Sequence, residues 1–87
     1  MSEFETKNLI VKWQNSTRKL LVGKTIKHIR YVNDEEMEAL MWHSRPIVIV
    51  FTDGSLLIPQ SDDEGNDGGA MLYQDKDGNH DVIPVIY

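Results

Sequence analysis

Residues 46–70 read PIVIVFTDGSLLIPQSDDEGNDGGA: an apolar run, Asp53-Gly54, a second apolar run, then an acidic loop rich in glycine. Asp-Gly between apolar runs is a strong hairpin signal, because a two-residue type I′ turn needs positive φ at both central positions. The spacing predicts Thr52 opposite Ser55, Phe51 opposite Leu56, Val50 opposite Leu57, Ile49 opposite Ile58 and Ile47 opposite Gln60. That register sets Trp42, His43, Ser44 and Arg45, just before Pro46, beside the loop that begins at Ser61. A composite site is expected there. Its candidate ligand- or partner-binding residues are Trp42, His43, Arg45, Gln60, Asp62, Asp63, Glu64, Asn66 and Asp67. In the same register Ile47, Ile49, Phe51, Leu56 and Ile58 share one face, and Val48, Val50, Leu57 and Pro59 the other. Both faces are apolar, so one is expected against helices and the other under the N-terminal segment or a second subunit.

Working back from the hairpin, Asn33 reads as a helix N-cap with Glu36 at N3, an Asn form of the capping box, and Val32 with Met37 as the hydrophobic staple. Asp34, Glu35 and Glu36 complement the helix dipole, so this acidic cluster is helix chemistry and not a catalytic carboxylate pair. Met37, Leu40 and Met41 are the expected buried stripe. The helix must stop before Pro46, since the residue preceding a proline is pushed out of α geometry, and His43 is expected in its last turn. Lys24–Val32, KTIKHIRYV, reads as a strand. Ile26 falls out of phase with Ile29 and Tyr31, which a bulge near Lys27-His28 reconciles.

Further upstream, Leu9, Ile10, Trp13, Thr17, Leu20 and Leu21 recur at helical spacing, and Gly23 stands where a glycine ends a helix. Leu9-Ile10-Val11 also suits a short strand, with Asn15-Ser16 as a turn. A helix is expected over Ser16–Val22, Lys7–Trp13 stays open between the two readings, and residues 1–20 read as a peripheral segment. Downstream, Ala70–Gln74 and His80–Tyr87 read as strands around a turn at Asp75–Asn79, with Pro84 placing the last strand at an edge. No internal repeat or linker divides the chain.

The 87 residues make one domain of residues 1–87, near the size at which a single core is just sufficient. Without cysteine there is neither a disulfide framework nor a thiolate metal site. No run approaches the roughly 20 apolar residues of a membrane span, so a cytoplasmic protein without membrane attachment is expected. The net charge of −5 is unevenly placed: residues 1–30 carry +5 and residues 31–87 carry −10. The simplest account is that the halves face each other and partly neutralise. The acidic balance disfavours nucleic acid, although Lys19, Lys24, Lys27 and Arg30 are candidates for a local basic strip.

The loop SDDEGNDGG admits three chemistries. A calcium loop fails on spacing: from Asp63, position 3 is Gly65 and position 12 is Gln74, and from Asp62, position 6 is Asp67. DKDGNHD at Asp75–Asp81 lacks the remaining ligands and reads as a turn, so no metal or cofactor is expected. A phosphate cradle at Gly68-Gly69 is opposed by the neighbouring carboxylates. The third reading is a rigid turn, tied by Asp and Asn side chains and by Arg45 paired with Asp62 or Asp63. His43 with Asp62 or Asp63 would make a dyad, which alone is no catalytic set, and the reading leans away from an enzyme.

VGKTI, RYVNDEEMEAL, Trp42 with Arg45-Pro46, FTDGSLLIPQSDDEGNDGGAML and the closing IPVI together resemble a family of small proteins from bacteria and tailed phages. The resemblance covers Leu21–Leu72 and the C-terminal strand. It implies a compact cytoplasmic domain and transfers no catalytic residue. It also implies a glycine where this chain has Met41, so the helix is expected to run one residue further.

The fold expected is a small α+β domain with a mainly antiparallel sheet of four or five strands and one or two helices on a face. The function expected is a non-enzymatic binding or regulatory module, phage-encoded and acting on a host protein, and homo-oligomeric. The alternative is a binder of a nucleotide-like small molecule held by Trp42, Arg45 and the 61–69 loop.

Overall fold

The computed structural model describes residues 2–87, except for the side chain of Gln74. The protein is a small α+β domain with the order α1 (Glu3–Leu21), β1 (Ile26–Tyr31), α2 (Asp34–Leu40), β2 (Ile47–Phe51), β3 (Leu56–Leu57), β4 (Met71–Gln74) and β5 (His80–Ile83). Strands β1, β2 and β3 form one antiparallel sheet in that order, and β4 pairs with β5 in a second. Among the described residues no helix is long and apolar enough to cross a membrane.

β1 pairs with β2 through Ile29 opposite Ile49 and Tyr31 opposite Ile47. A register shift between Ile26 and His28 returns Ile26 to that same face, opposite Phe51. The bulge expected at Lys27-His28 is therefore present. The hairpin that follows differs from expectation by one residue. Ile49 faces Leu57 and Val50 faces Leu56, and the Phe51 amide donates to the Ser55 carbonyl at 2.9 Å. The loop is thus Thr52-Asp53-Gly54, closed by the Gly54 amide on the Phe51 carbonyl at 3.0 Å. Only Gly54 takes positive φ there, at 88°. A three-residue loop needs one left-handed position where type I′ needs two, and this spares Asp53 that strain. Asp53 instead accepts the Ser55 amide at 2.9 Å and pairs with Lys24, while the Thr52 amide is held by Thr25 at 2.9 Å. The shift exchanges the faces of Leu56 and Leu57. Gln60 bridges to Gly68 instead of meeting Ile47.

The core is small: Val32, Trp42, Ile47, Val48 and Phe51, with Pro46 and Ser44 also buried. The capping box at Asn33 is complete, the Glu36 amide donating to Asn33 at 2.9 Å and the Asn33 amide to Glu36 at 3.0 Å. Arg30 of β1 grips the same Glu36 with both nitrogens, at 2.7 and 3.0 Å, locking the helix start to the strand. α2 is shorter than expected. It ends at Leu40, and Met41 adopts left-handed geometry with φ 60° and 81% exposure, so it neither extends the helix nor joins a buried stripe. Leu40 is exposed too, and His43 lies beyond the helix, where no dipole argument applies.

α1 is one continuous helix across the stretch left open between helix and strand. Ser2 caps it, accepting the Glu5 amide at 3.1 Å, and Gly23 follows it with φ 83°. None of its described residues is buried. The radius of gyration is 15.3 Å, against about 12 Å for a compact chain of this length.

Candidate functional site

The loop 61–69 folds back on residues 42–46, as the composite site required, through the candidates Trp42, His43 and Asp67 and not through Arg45. Asp67 Oδ1 accepts the amides of His43 at 3.0 Å, Ser44 at 2.8 Å and Gly68 at 2.8 Å. The Ser44 amide, then those of Gly68 and His43, hold its carboxyl below the usual range, with the nearby His43 ring adding to the effect. Trp42 is buried, and its indole N–H donates to the Gly65 carbonyl at 2.7 Å. Ser61 donates to the Asp67 carbonyl at 2.9 Å and Gly69 to the Pro59 carbonyl at 3.1 Å. Loop and segment are thus joined by side chains, those of Asp67 and Trp42, bonding backbone groups of the other.

Glycine is required at the contact. A Cβ on Gly68 would stand 2.4 Å from Pro46 Cδ and 2.6 Å from the Ser44 carbonyl oxygen. One on Gly69 would stand 2.7 Å from the Gln60 carbonyl oxygen. Gly68-Gly69 is therefore a packing surface, its close approaches taken by protein instead of by a phosphate.

Arg45 is not the clamp. Its guanidinium donates to the Val32 carbonyl at 3.1 Å and pairs with Asp34 at the start of α2, away from the loop carboxylates. Its backbone exchanges hydrogen bonds with Ile86, at 2.6 and 2.8 Å, so the residue anchors the C-terminal segment instead. Trp42 and Arg45 consequently do not form the stacking-and-anion pair expected for a nucleotide. The repulsion that asked for a cation is relieved by dispersal. Asp62 accepts the Glu64 amide at 3.0 Å, the Asn66 amide at 3.2 Å and the Asn66 side chain at 2.7 Å. The Asn66 side chain leads in lowering its titration. Asp63 and Glu64 are exposed, and Glu64 receives the Asn66 side chain at 3.4 Å. His43 is exposed, and it is Asp67, not Asp62 or Asp63, that lies beside it.

The sequence contains a short repeat that its reading missed. Asp75 accepts the Asp77 amide at 2.9 Å, the Asn79 amide at 2.9 Å and the Asn79 side chain at 3.1 Å, just as Asp62 holds Glu64 and Asn66. Gly65 and Gly78 occupy the same left-handed position, at φ 73° and 87°. DDEGN and DKDGN are one turn used twice, with Asp and Asn four apart around a glycine. The signal was legible in those spacings and concerns backbone satisfaction.

The basic strip is broken up. Lys24 pairs with Asp53 and Arg30 with Glu36, both across the boundary between the basic and acidic halves. Apolar surface, part of which was expected to need cover from a second subunit, is exposed on both α1 and β1. Ile10, Trp13 and Leu20 of α1 are more than half exposed, as are Ile26 and Ile29 of β1.

Comparison of the chain with protein-family models, with curated proteins and with solved structures gives no match.

Proposed function

We propose that the protein is a non-enzymatic binding module acting through protein–protein contact in the cytoplasm, with α1 as its contact element and the sheet body as the scaffold. One observation carries this reading: none of the described residues of α1 is buried, and Trp13 on its apolar side is 61% exposed. An amphipathic helix of this length owes most of its stability to what it packs against, so an unpacked one calls for a partner. The 61–69 loop supports the same reading as a rigid second surface, since its backbone is tied down and Asp63 and Glu64 face outward. Given the resemblance to bacterial and phage proteins, a bacterial host protein is the natural partner class.

The test is affinity capture from bacterial lysate on the immobilised full-length protein, with an Ile10→Glu, Trp13→Glu double variant as control. The expected result is a protein, or a second copy of this chain, retained by the native helix and lost with the variant. Identical retention on both, together with a monomeric mass in light scattering, would overturn the reading.

A further inference from the structure

Resting on that reading of α1 as the contact element, we infer that its partner is a second copy of this chain, paired antiparallel along the helix. Thr6, Ile10, Trp13, Thr17 and Leu20 recur at alternating intervals of four and three, the seam of a two-helix coiled coil, with Leu9 and Leu21 alongside. The exposed surface has the size such a pair needs. The chain exposes 6955 Å², where a folded protein of 10.0 kDa exposes about 5,200 Å². The excess exceeds the ~800 Å² that a standard interface removes from each partner.

Charge decides the direction. The first turn of α1 carries Glu3 and Glu5 and the last carries Arg18 and Lys19. Parallel pairing would set like ends together, acid on acid and base on base, with the helix dipoles aligned. Antiparallel pairing sets Glu3 and Glu5 at the end where the partner subunit's Arg18 and Lys19 stand, and opposes the dipoles. With the helices fully overlapped, Ile10 layers against the partner's Trp13, and Thr6 against the partner's Thr17. The seam then has Ile10 and Trp13 at the middle, Thr6 and Thr17 outside them, and Leu20 at each end beside the partner's Glu3.

The absence of cysteine makes cross-linking clean. Thr6→Cys and Thr17→Cys variants of the full chain are oxidised separately and as a mixture, with light scattering on the native protein. The expected results are a mass of twice 10.0 kDa and a disulfide in the mixture that neither variant forms alone. Self-cross-linking of each single variant would mean parallel pairing and overturn the inference. So would a monomer at micromolar concentration. A monomer that still captures another protein through α1 would sink the self-pairing while leaving the binding-module reading in place.

Discussion

The Asp67 carboxylate receives the Ser44 amide at 2.8 Å, and the same oxygen takes the amides of His43 and Gly68. One side chain thus satisfies three backbone donors from two segments that are distant in sequence. Asp67→Ala should leave those donors without a partner and lower the melting temperature by several degrees. Asp67→Asn retains an acceptor at the same place and should fall between. Thermal unfolding followed by circular dichroism checks the order, and an alanine variant that melts like the native protein would contradict it.

Acid should loosen this loop and the turn between β4 and β5. Asp62, Asp67 and Asp75 all titrate below the ordinary aspartate value, through bonds from Asn66, from the Ser44 amide and from the Asn79 amide respectively. A depressed folded-state pKa contributes stability that is complete above the unfolded value and is lost as pH falls through the folded one. Stability from these groups should therefore be flat from neutrality to about pH 5 and decline below about pH 4. Trp42, bonded to Gly65, is the reporter, in a Trp13→Phe background that removes the exposed indole. Stability that rises on acidification through this range would reverse the sign and refute the assignment.

Met41 occupies a left-handed position, the only non-glycine residue with positive φ among those described, and its side chain is exposed. Met41→Gly therefore removes strain without removing packing. It should stabilise the domain by about 1 kcal/mol, the usual cost of left-handed geometry for a residue with a Cβ. Urea denaturation measures it, and a destabilised glycine variant would show that the side chain has a role the geometry does not reveal.

Sequence reading succeeded where a local rule acts alone. The Asn33 box, the Lys27-His28 bulge, the glycine after α1 and the strands around Asp75–Asn79 each follow from a few adjacent residues. It failed where local choices are near in energy and a distant group decides. The hairpin register turned on the Thr52 amide finding Thr25 and on Lys24 reaching Asp53, neither visible in FTDGS. That single-residue shift also removed the argument that placed Arg45 against the loop. Trp42, His43 and Ser44 were brought to the loop nonetheless, without Arg45, because the loop returns through Asp67 and Gly68, whose fit against Ser44 and Pro46 depends on missing atoms. α1 was half-read because an apolar stripe implies cover, and none of its described residues is buried.

Gly68 gives the sharpest steric test. Its Cβ would meet a proline ring and a backbone carbonyl, neither of which can rotate away. Gly68→Ala should cost about 1–3 kcal/mol, the range of overpacking in a closed site. Gly54→Ala meets no neighbour within 4 Å and is strained only by its φ of 88°, so it should cost about 1 kcal/mol. Equal losses would mean that the loop yields at Gly68 instead of pressing on Pro46.

Two arginines near the start of α2 should behave differently, although each faces a carboxylate. Arg30 holds Glu36 with both nitrogens, its side chain is 33% exposed, and the carboxylate it grips also takes the Asn33 amide. Glu36 titrates low, chiefly because of Arg30 and then of Asn33. Arg45 reaches Asp34, whose side chain is 90% exposed, through one nitrogen. Fixed, bidentate geometry is what makes a partly exposed pair count, whereas a solvated carboxylate exchanges its partner for water at little cost. Double-mutant cycles in urea should therefore give a coupling of about 1 kcal/mol for Arg30 with Glu36 and within a few tenths of zero for Arg45 with Asp34. Arg30→Lys should recover part of the loss, since lysine supplies the charge without the fork. A coupling for Arg45 with Asp34 as large as that for Arg30 with Glu36 would show that neither bidentate geometry nor the exposure of Asp34 separates the two pairs.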